Sequence, residues 1–225
     1  MLKTYCINLD HRADRWADAT RNYAAHGLAT ASVTRWSAFA DSEFGALGCA
    51  KSHVAVLTHF LIHESAPYCL ILEDDFDFVR PWNEFVESFN RLVTERIEFD
   101  AVLLTGTAAL AYAPLPAGFA RLVEAQTTAA YLVSRNYIPT LLSCFADSIP
   151  PMESMRHIRP REFVTMRLAI DMAWKRLQRK DRWYIGNPTF GRQRPSFSDI
   201  ERRIVNYDAV TYGLTDATAA ESIGS

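Results

Sequence analysis

Short apolar runs alternate with amphipathic segments along most of the chain. Alternating Tyr5, Ile7 and Leu9 predict a first strand, and Tyr68 to Leu72 (YCLIL) predicts a strand that is apolar on both faces. Further strands are predicted at 32–36, 101–104, 128–134 and 183–185. Helices are predicted at 47–63, 82–95, 137–146 and 170–179, and also in the polar segment that ends at Gly27. Residues 147–165 are predicted to be an irregular, substrate-facing loop.

This alternation of strands and helices predicts a single α/β domain, with one sheet covered by helices on both faces. We expect the domain to span residues 1–213 and the small, polar segment 214–225 to form a flexible tail. In such sheets, ligands bind beyond the carboxyl ends of the strands. Motifs that directly follow a strand are therefore the first candidates for chemistry.

Composition and charge restrict the classes of protein. The 225 residues include 24 Lys and Arg against 26 Asp and Glu, a formal net charge of −2, which argues against general nucleic-acid binding. Charge appears too early in MLKTYCINLDHRADRW for a signal peptide, and the apolar stretches are shorter than the roughly 20 residues of a spanning helix. We expect a cytoplasmic protein, with peripheral contact at the inner face of the membrane left open.

The four cysteines are not arranged as a zinc-binding motif. Cys6, Cys49, Cys69 and Cys144 contain no CxxC pair, which argues against a structural zinc site. Their apolar surroundings predict buried free thiols in a reducing compartment.

Four carboxylates directly follow the predicted strand at 68–72. They are Glu73, Asp74, Asp75 and Asp77, and such a cluster repels itself unless a cation or solvent relieves it. Hard oxygen ligands at a strand end are typical of Mg²⁺ or Mn²⁺ bound together with substrate phosphates. The alternate pairs Glu73–Asp75 and Asp75–Asp77 are each able to face one side. A solvated acidic turn explains the cluster about equally well.

Two further segments lie near predicted strand or helix ends. In GALGCAKSH (45–53), glycines lead into a helix whose N-terminus a ligand can approach, with Ser52 and His53 about one turn further on; a plain helix cap is the alternative. Asn8, Asp10 and Arg15 end the first strand and begin the next segment, where they are able to contact a nucleotide. Arg15 is equally able to pair with Asp10 or Asp14 on the surface.

Two arginine-rich segments lie toward the C-terminus. The run GRQRPSFSDI (191–200) offers Arg192, Gln193 and Arg194 to phosphate oxygens, or is a basic surface loop. The segment 155–167 contains four arginines and a histidine, which suit an anionic lipid or glycan or an ordinary solvated loop.

Together and in this order, these segments resemble glycosyltransferase family 25, the lipooligosaccharide galactosyltransferases, which are related to the collagen galactosyltransferases. The resemblance extends from about residue 3 to residue 200. In the N-terminal half the matching stretches are INLD with the following arginines (7–15), Gly45 with GC-x-x-SH (48–53) and LEDD (72–75). In the C-terminal half they are AYLVS (130–134), Ile-Asp (170–171), Gln193 and Ser-Asp-Ile (198–200). Ala46 stands where the family usually has Glu. The resemblance implies a GT-A-like, Rossmann-type nucleotide-binding sheet. It also implies an inverting transfer from a nucleotide sugar, most often UDP-galactose, and a divalent metal, Mn²⁺ or Mg²⁺.

The resemblance also implies roles for individual residues. Asp75 would hold the metal with help from Glu73 or Asp77. Donor-binding residues would be Asn8, Asp10, Arg15, Gly48, Ser52, His53, Gln193, Ser198 and Asp199. Asp171 is the first candidate for the general base, with Asp74 and Glu153 as alternatives. The acceptor would be a glycan or a lipid-linked sugar. A non-catalytic nucleotide- or glycan-binding relative, another metal-dependent nucleotide enzyme and an interaction domain with an acidic loop are the competing interpretations.

Overall fold

The computed structural model describes residues 2–198 and 203–214. The strands are β1 (Leu2–Asn8), β2 (Val33–Ser37), β3 (Tyr68–Glu73), β4 (Phe76–Phe78), β5 (Ala101–Leu103), β6 (Thr107–Leu115), β7 (Phe119–Gln126), β8 (Ala130–Ser134), β9 (Trp183–Gly186), β10 (Gly191–Gln193), β11 (Ser196–Ser198) and β12 (Arg203–Val205). The helices are α1 (Ala13–Ala25), α2 (Gly45–His63), α3 (Trp82–Thr94), α4 (Ile138–Ala146), α5 (Ile149–Ser154), α6 (Arg161–Leu168), α7 (Ile170–Ala173) and α8 (Lys175–Lys180). The predicted tail, apart from Leu214, lies outside the described residues.

Eight strands form one mixed sheet in the order β2-β1-β3-β8-β5-β9-β7-β6. β1 runs parallel to β2 and β3, and β5 runs parallel to β9, whereas β8 is antiparallel to both of its neighbours. β7 is antiparallel to β9 and forms a hairpin with β6. Two short antiparallel pairs, β4 with β10 and β11 with β12, lie outside this sheet.

Two apolar layers cover the two faces of the sheet. On one face, side chains such as Tyr5 and Ile71 pack with Leu57 and Phe60 of α2 and with α4. On the other face, alternate residues of the same strands pack with α1 and α3, for example Leu72 with Phe85. The predicted α/β domain with helices on both faces is therefore confirmed.

The antiparallel direction of β8 positions the segment that precedes it. Ala130 pairs with Leu72 at the carboxyl end of β3, and the backbone N–H of Glu73 donates to the carbonyl of Ala129 at 2.8 Å. Residues 127–129 therefore lie at the same sheet edge as the acidic cluster.

The structure corrects three sequence expectations. The β6–β7 hairpin was not predicted, because alanines and Pro114 weaken the strand pattern of TAALAYAPL. Residues 147–165 are not irregular, since they contain α5 and the first half of α6. The helix predicted at 170–179 is divided into α7 and α8 at Trp174, whose fully buried ring packs in the core.

Helix α2 carries much of one core layer. Among the described helices, α2 alone has the length and apolar composition of a membrane span, and half of its most apolar stretch is buried within the domain. Its C-terminal end is bound by Arg135, whose guanidinium donates to the carbonyls of Glu64 at 2.7 Å and Leu61 at 2.8 Å. The same group lies over the Phe60 ring. Arg135 thus satisfies carbonyls that a helix end leaves without partners.

We expect Arg135→Met to lower the free energy of unfolding by about 1–2 kcal/mol, because partly buried carbonyls at the end of α2 lose their donor. Urea denaturation measures this loss. Arg21→Met is the matched control, because Arg21 forms an exposed ion pair with Asp18 and should change stability by less than about 0.5 kcal/mol. Equal losses in both variants would contradict the assignment.

Candidate functional site

Two adjacent cavities open at the carboxyl ends of β1 and β3. The larger has a volume of about 450 Å³ and lies between these strand ends and the loop 38–42. The smaller, about 380 Å³, lies between the segment 126–128, α6 and α7. Three side chains, Cys49, Glu73 and Gln193, line both cavities and form the wall between them.

Arg15 of α1 joins two buried carboxylates in the larger cavity. Its guanidinium lies 2.6 Å from Oδ1 of Asp74 and 2.7 Å from Oδ2 of Asp75. The amide of Asn8 donates to the other oxygen of Asp74 at 2.6 Å. Burial raises the pKa of Asp74 to about 7 and also raises the pKa of Asp75, while Arg15 opposes both shifts. The arginine is therefore the counter-charge that allows this pair to be buried.

A chain of hydrogen bonds connects Asp75 to the smaller cavity. The amide of Gln193 donates to Oδ2 of Asp75 at 3.0 Å, and the hydroxyl of Thr127 donates to Oε1 of Gln193 at 3.1 Å. The backbone N–H of Thr127 donates to Oδ2 of Asp171 at 3.1 Å. Thr127 adopts a positive φ of 74°, a strained conformation for a β-branched residue that both of its hydrogen bonds help to hold. The two cavities therefore share one polar network.

Asp171 lines the smaller cavity from the first turn of α7. Burial raises its pKa, the Thr127 N–H opposes the shift, and the negative charge of Glu73 adds to it. A raised pKa makes a carboxylate a stronger proton acceptor. Asp171 is thus a cavity-lining carboxylate with a raised pKa.

The loop over the larger cavity is attached to α2 through Ser52. The backbone N–H of Phe39 donates to Oγ of Ser52 at 2.8 Å, and that hydroxyl donates to the carbonyl of Gly48 at 2.7 Å. A Cβ at position 48 would lie 2.4 Å from the carbonyl oxygen of Phe39, so the close approach of the loop requires glycine. Gly48 and Ser52 therefore shape the cavity through the loop.

His53 and Glu73 form a second hydrogen-bonded group, which includes the Glu73 side chain of the wall. The ring of His53 is fully buried, with Nε2 3.2 Å from Oε1 of Glu73 and Nδ1 2.9 Å from the hydroxyl of Tyr131. The hydroxyl of Thr128 donates to the same oxygen of Glu73 at 2.5 Å. Burial acts to raise the pKa of Glu73, but His53, Thr128 and Arg15 outweigh it and the net shift is downward.

Several predicted site residues do not line either cavity of the described structure. Asp77 forms a bidentate ion pair with Arg194, in which the guanidinium nitrogens lie 2.6–3.1 Å from the carboxylate oxygens. Asp10 accepts hydrogen bonds from Arg35 and Ser37. Glu153 pairs with Lys51 at the surface.

The C-terminal candidates have mixed placements. Gln193 lies in the wall as expected, whereas Arg192 pairs with Asp208 and Arg194 with Asp77 instead of reaching toward a phosphate position. Ser198 is the last residue of β11, and Asp199 lies outside the described residues.

The predicted Mg²⁺ or Mn²⁺ ligands fit a metal only in part. Asp77 is held by Arg194, and Glu73 belongs to the His53 group. Oδ1 of Asp75 is buried and has no hydrogen-bond partner among the described residues. Because Mg²⁺ is often held by one or two carboxylates together with substrate phosphates, Asp75 fits such a site, while the two expected assisting ligands, Glu73 and Asp77, each have another partner.

Sequence reasoning missed several residues of the site. They are Phe39, Asp41 and Ser42 of the loop, Thr127 and Thr128 before β8, and Tyr131. Thr127 precedes the strand predicted at 128–134 and Thr128 is its first residue, so the rule that ligands bind at the carboxyl ends of strands excluded both. Only the antiparallel pairing of β8 with β3 brings them to this edge.

Comparisons with known proteins give no family assignment. No protein-family model matches the chain, and a search of curated proteins gives no match. Among solved structures, the fold is similar to that of mannose-1-phosphate geranyltransferase from Thermus thermophilus, with 11% identity and a TM-score of 0.45. The similarity covers 83% of this chain and 59% of that chain, so this chain spans well under two thirds of the neighbour's length. A likeness at this level assigns no activity to the chain.

We expect Arg15→Met to destabilise the fold by about 3–5 kcal/mol at a pH near 8, because Asp74 and Asp75 lose their buried counter-charge. The loss should be smaller near pH 5. Burial raises the pKa of Asp74 to about 7, so proton uptake by Asp74 stabilises the folded state at low pH, and this stabilisation is lost as the pH rises through 7. Near pH 5 Asp74 is therefore neutral in the folded state and needs no counter-charge from Arg15. Urea denaturation at both pH values measures the difference, and Arg15→Lys should recover part of it. A pH-independent loss would contradict the ion-pair assignment.

Proposed function

We propose that the chain is a nucleotide-sugar-dependent glycosyltransferase, with the donor in the larger cavity and the acceptor in the smaller one. The observation that carries the proposal is the polar network that runs from Asn8 and Arg15 through Asp75 and Gln193 to Asp171. It joins a charged cavity at the strand ends to a second cavity that is lined by the half-buried carboxylate of Asp171. The motif order that resembles glycosyltransferase family 25 supports the same function.

The donor cavity suits a nucleoside diphosphate linked to a sugar. Its volume of about 450 Å³ is within the usual range for small-molecule sites. Arg15 lines the cavity beside the Asp75 carboxylate, which would hold a cation for the phosphate oxygens, and Asn8 is fixed by Asp74 and Arg35 at the end of β1. The loop 38–42 covers the opposite side. UDP and galactose, and a glycan or lipid-linked acceptor, are proposals that rest on the resemblance.

In the proposed transfer, groups at the two cavities account for the bond that forms, the bond that breaks and the proton that is released. An acceptor hydroxyl oxygen bonds to the anomeric carbon while the bond from that carbon to the phosphate oxygen breaks. The electron pair leaves with the nucleoside diphosphate, and the hydroxyl proton passes to Asp171. Attack from the face opposite the leaving group inverts the anomeric carbon. A Mg²⁺ or Mn²⁺ ion held by Asp75 and the donor phosphates would neutralise charge on the departing diphosphate.

Of the three candidate bases, the contacts favour Asp171. Both oxygens of Asp74 are engaged, one by Arg15 and the other by Asn8. Glu153 lies at the surface with Lys51, outside both cavities. Asp171 alone of the three lines the proposed acceptor cavity.

Thermal unfolding with UDP tests the donor site. UDP at about 100 times its Kd should add about 2.7 kcal/mol to the free energy of unfolding, and Mg²⁺ or Mn²⁺ should increase the shift. Asp75→Asn should remove the metal-dependent part, because the amide is a weak ligand for a hard cation. Asp77→Asn is the matched control, since Asp77 lies outside the cavity, and it should keep the UDP response. The donor assignment fails if no nucleotide diphosphate stabilises the chain.

Turnover of UDP-galactose, followed as UDP release with water or a glycan as acceptor, tests the base. Asp171→Asn should lower kcat by about 10²–10⁴-fold while the UDP-induced stabilisation stays the same. Because the pKa of Asp171 is raised by burial, kcat should fall as the pH decreases through that pKa. Glu153→Gln is the control and should be as active as the unaltered chain. Normal turnover by Asp171→Asn would contradict the proposal that Asp171 is the general base.

A non-catalytic nucleotide- or glycan-binding protein is the second candidate. The observation that favours it is Ala46, which lines the acceptor cavity at the position where the resemblance implies Glu. If UDP binds but UDP-galactose is not turned over, the binding function holds, and activity that appears in Ala46→Glu would identify the missing group. The cytoplasmic location with peripheral membrane contact stays a prediction under either function.

A further inference from the structure

Three side chains with different ligand atoms converge in the wall between the cavities. Sγ of Cys49, a ring nitrogen of His53 and a carboxylate oxygen of Glu73 all lie within 4.8 Å of one another. Cys49 and His53 are four residues apart on α2, so they share one face of the helix. Glu73 ends β3 opposite that face.

The mixture of ligand atoms selects a particular class of metal. Thiolate and imidazole ligands favour Zn²⁺ over Mg²⁺ and Mn²⁺, which prefer oxygen ligands. Three protein ligands leave a fourth tetrahedral position for water or a substrate. Because Cys49 and Glu73 line both cavities and His53 lines the larger one, this position is accessible from the cavities.

Neighbouring residues already orient two of the three ligands. The Tyr131 hydroxyl lies 2.9 Å from Nδ1 of His53, so Nε2 is directed toward Glu73. Tyr131 stacks on the imidazole with ring centroids 5.7 Å apart, and Phe145 contacts it edge-on at 6.1 Å. Thr128 donates to the Glu73 carboxylate. In metal sites, the ring nitrogen of a histidine ligand that does not bind the metal is typically hydrogen-bonded, and so is a carboxylate ligand.

We propose that Cys49, His53 and Glu73 bind one Zn²⁺ ion, with a fourth coordination position open to the cavities. Binding releases the thiol proton of Cys49 to solvent. The site is separate from the position assigned to a hard cation at Asp75, and it does not depend on the proposed transfer reaction. Without a metal, the same residues are an internal hydrogen-bonded group, which is the alternative that the experiment addresses.

Titration with Co²⁺, a spectroscopic substitute for Zn²⁺, tests the site directly. The full chain is stripped with a chelator, kept reduced, and titrated with Co²⁺ alone while its absorption spectrum is recorded. We expect a thiolate-to-cobalt charge-transfer band and intense tetrahedral d–d bands that saturate at one equivalent and disappear when Zn²⁺ is added. Saturation without a charge-transfer band would overturn the proposal, because Cys49 would not be a ligand.

Four variants separate this site from other metal binding. Cys49→Ser should abolish the charge-transfer band, and Glu73→Gln should weaken Co²⁺ binding by at least about tenfold. Cys144→Ser, another thiol on the same face of the sheet, and Asp75→Asn should leave the spectrum unchanged. Circular dichroism identifies any variant that does not fold, and Glu73→Gln, which preserves side-chain volume, then provides the test. A band that persists in Cys49→Ser, or that Asp75→Asn removes, would overturn the proposal.

Discussion

The ion pairs of Arg15 with Asp74 and Asp75 are the interaction on which the candidate site depends. Two adjacent carboxylates buried at a strand end repel each other, and several kcal/mol are lost when such charges have no partner. The arginine meets both within 2.7 Å. Its position on α1 therefore determines how the end of β1, the turn at 74–75 and the first helix fit together. The same guanidinium also lines the larger cavity, together with both carboxylates.

One antiparallel strand then extends this centre into a second cavity. Because β8 runs opposite to β3, the residues before β8 meet the residues at the end of β3. Thr127 contacts Gln193 on one side and Asp171 on the other, and Thr128 contacts Glu73. A strand in the parallel direction would place these threonines at the far edge of the sheet. The second cavity is thus a consequence of topology as much as of sequence.

The sequence predicts α3 from its apolar periodicity, and α2 and β3 from their long or continuous apolar runs, because each of these is a local pattern. It does not predict the partner of Arg15, since Asp74 is distant in sequence and the nearby Asp10 and Asp14 look equivalent. Alternate spacing also does not predict that a turn at 74–75 interrupts the strand, or that Arg194, distant in sequence, binds Asp77. Long-range ion pairs and a strand's direction are properties of the folded chain that a local pattern does not contain.

Glu73 and Asp74, neighbours in sequence, serve opposite faces of the sheet. Successive side chains at a strand end point to alternate faces. Glu73 accordingly contacts His53 of α2, while Asp74 contacts Arg15 of α1. The edge therefore carries two chemically different groups. One is a guanidinium–carboxylate cluster with oxygen ligands suited to hard cations, and the other is a thiol–imidazole–carboxylate cluster suited to softer metals. Gln193 bonds Asp75 and Thr127 and lines both cavities beside Cys49 and Glu73, so its amide stands where the two groups meet the two cavities.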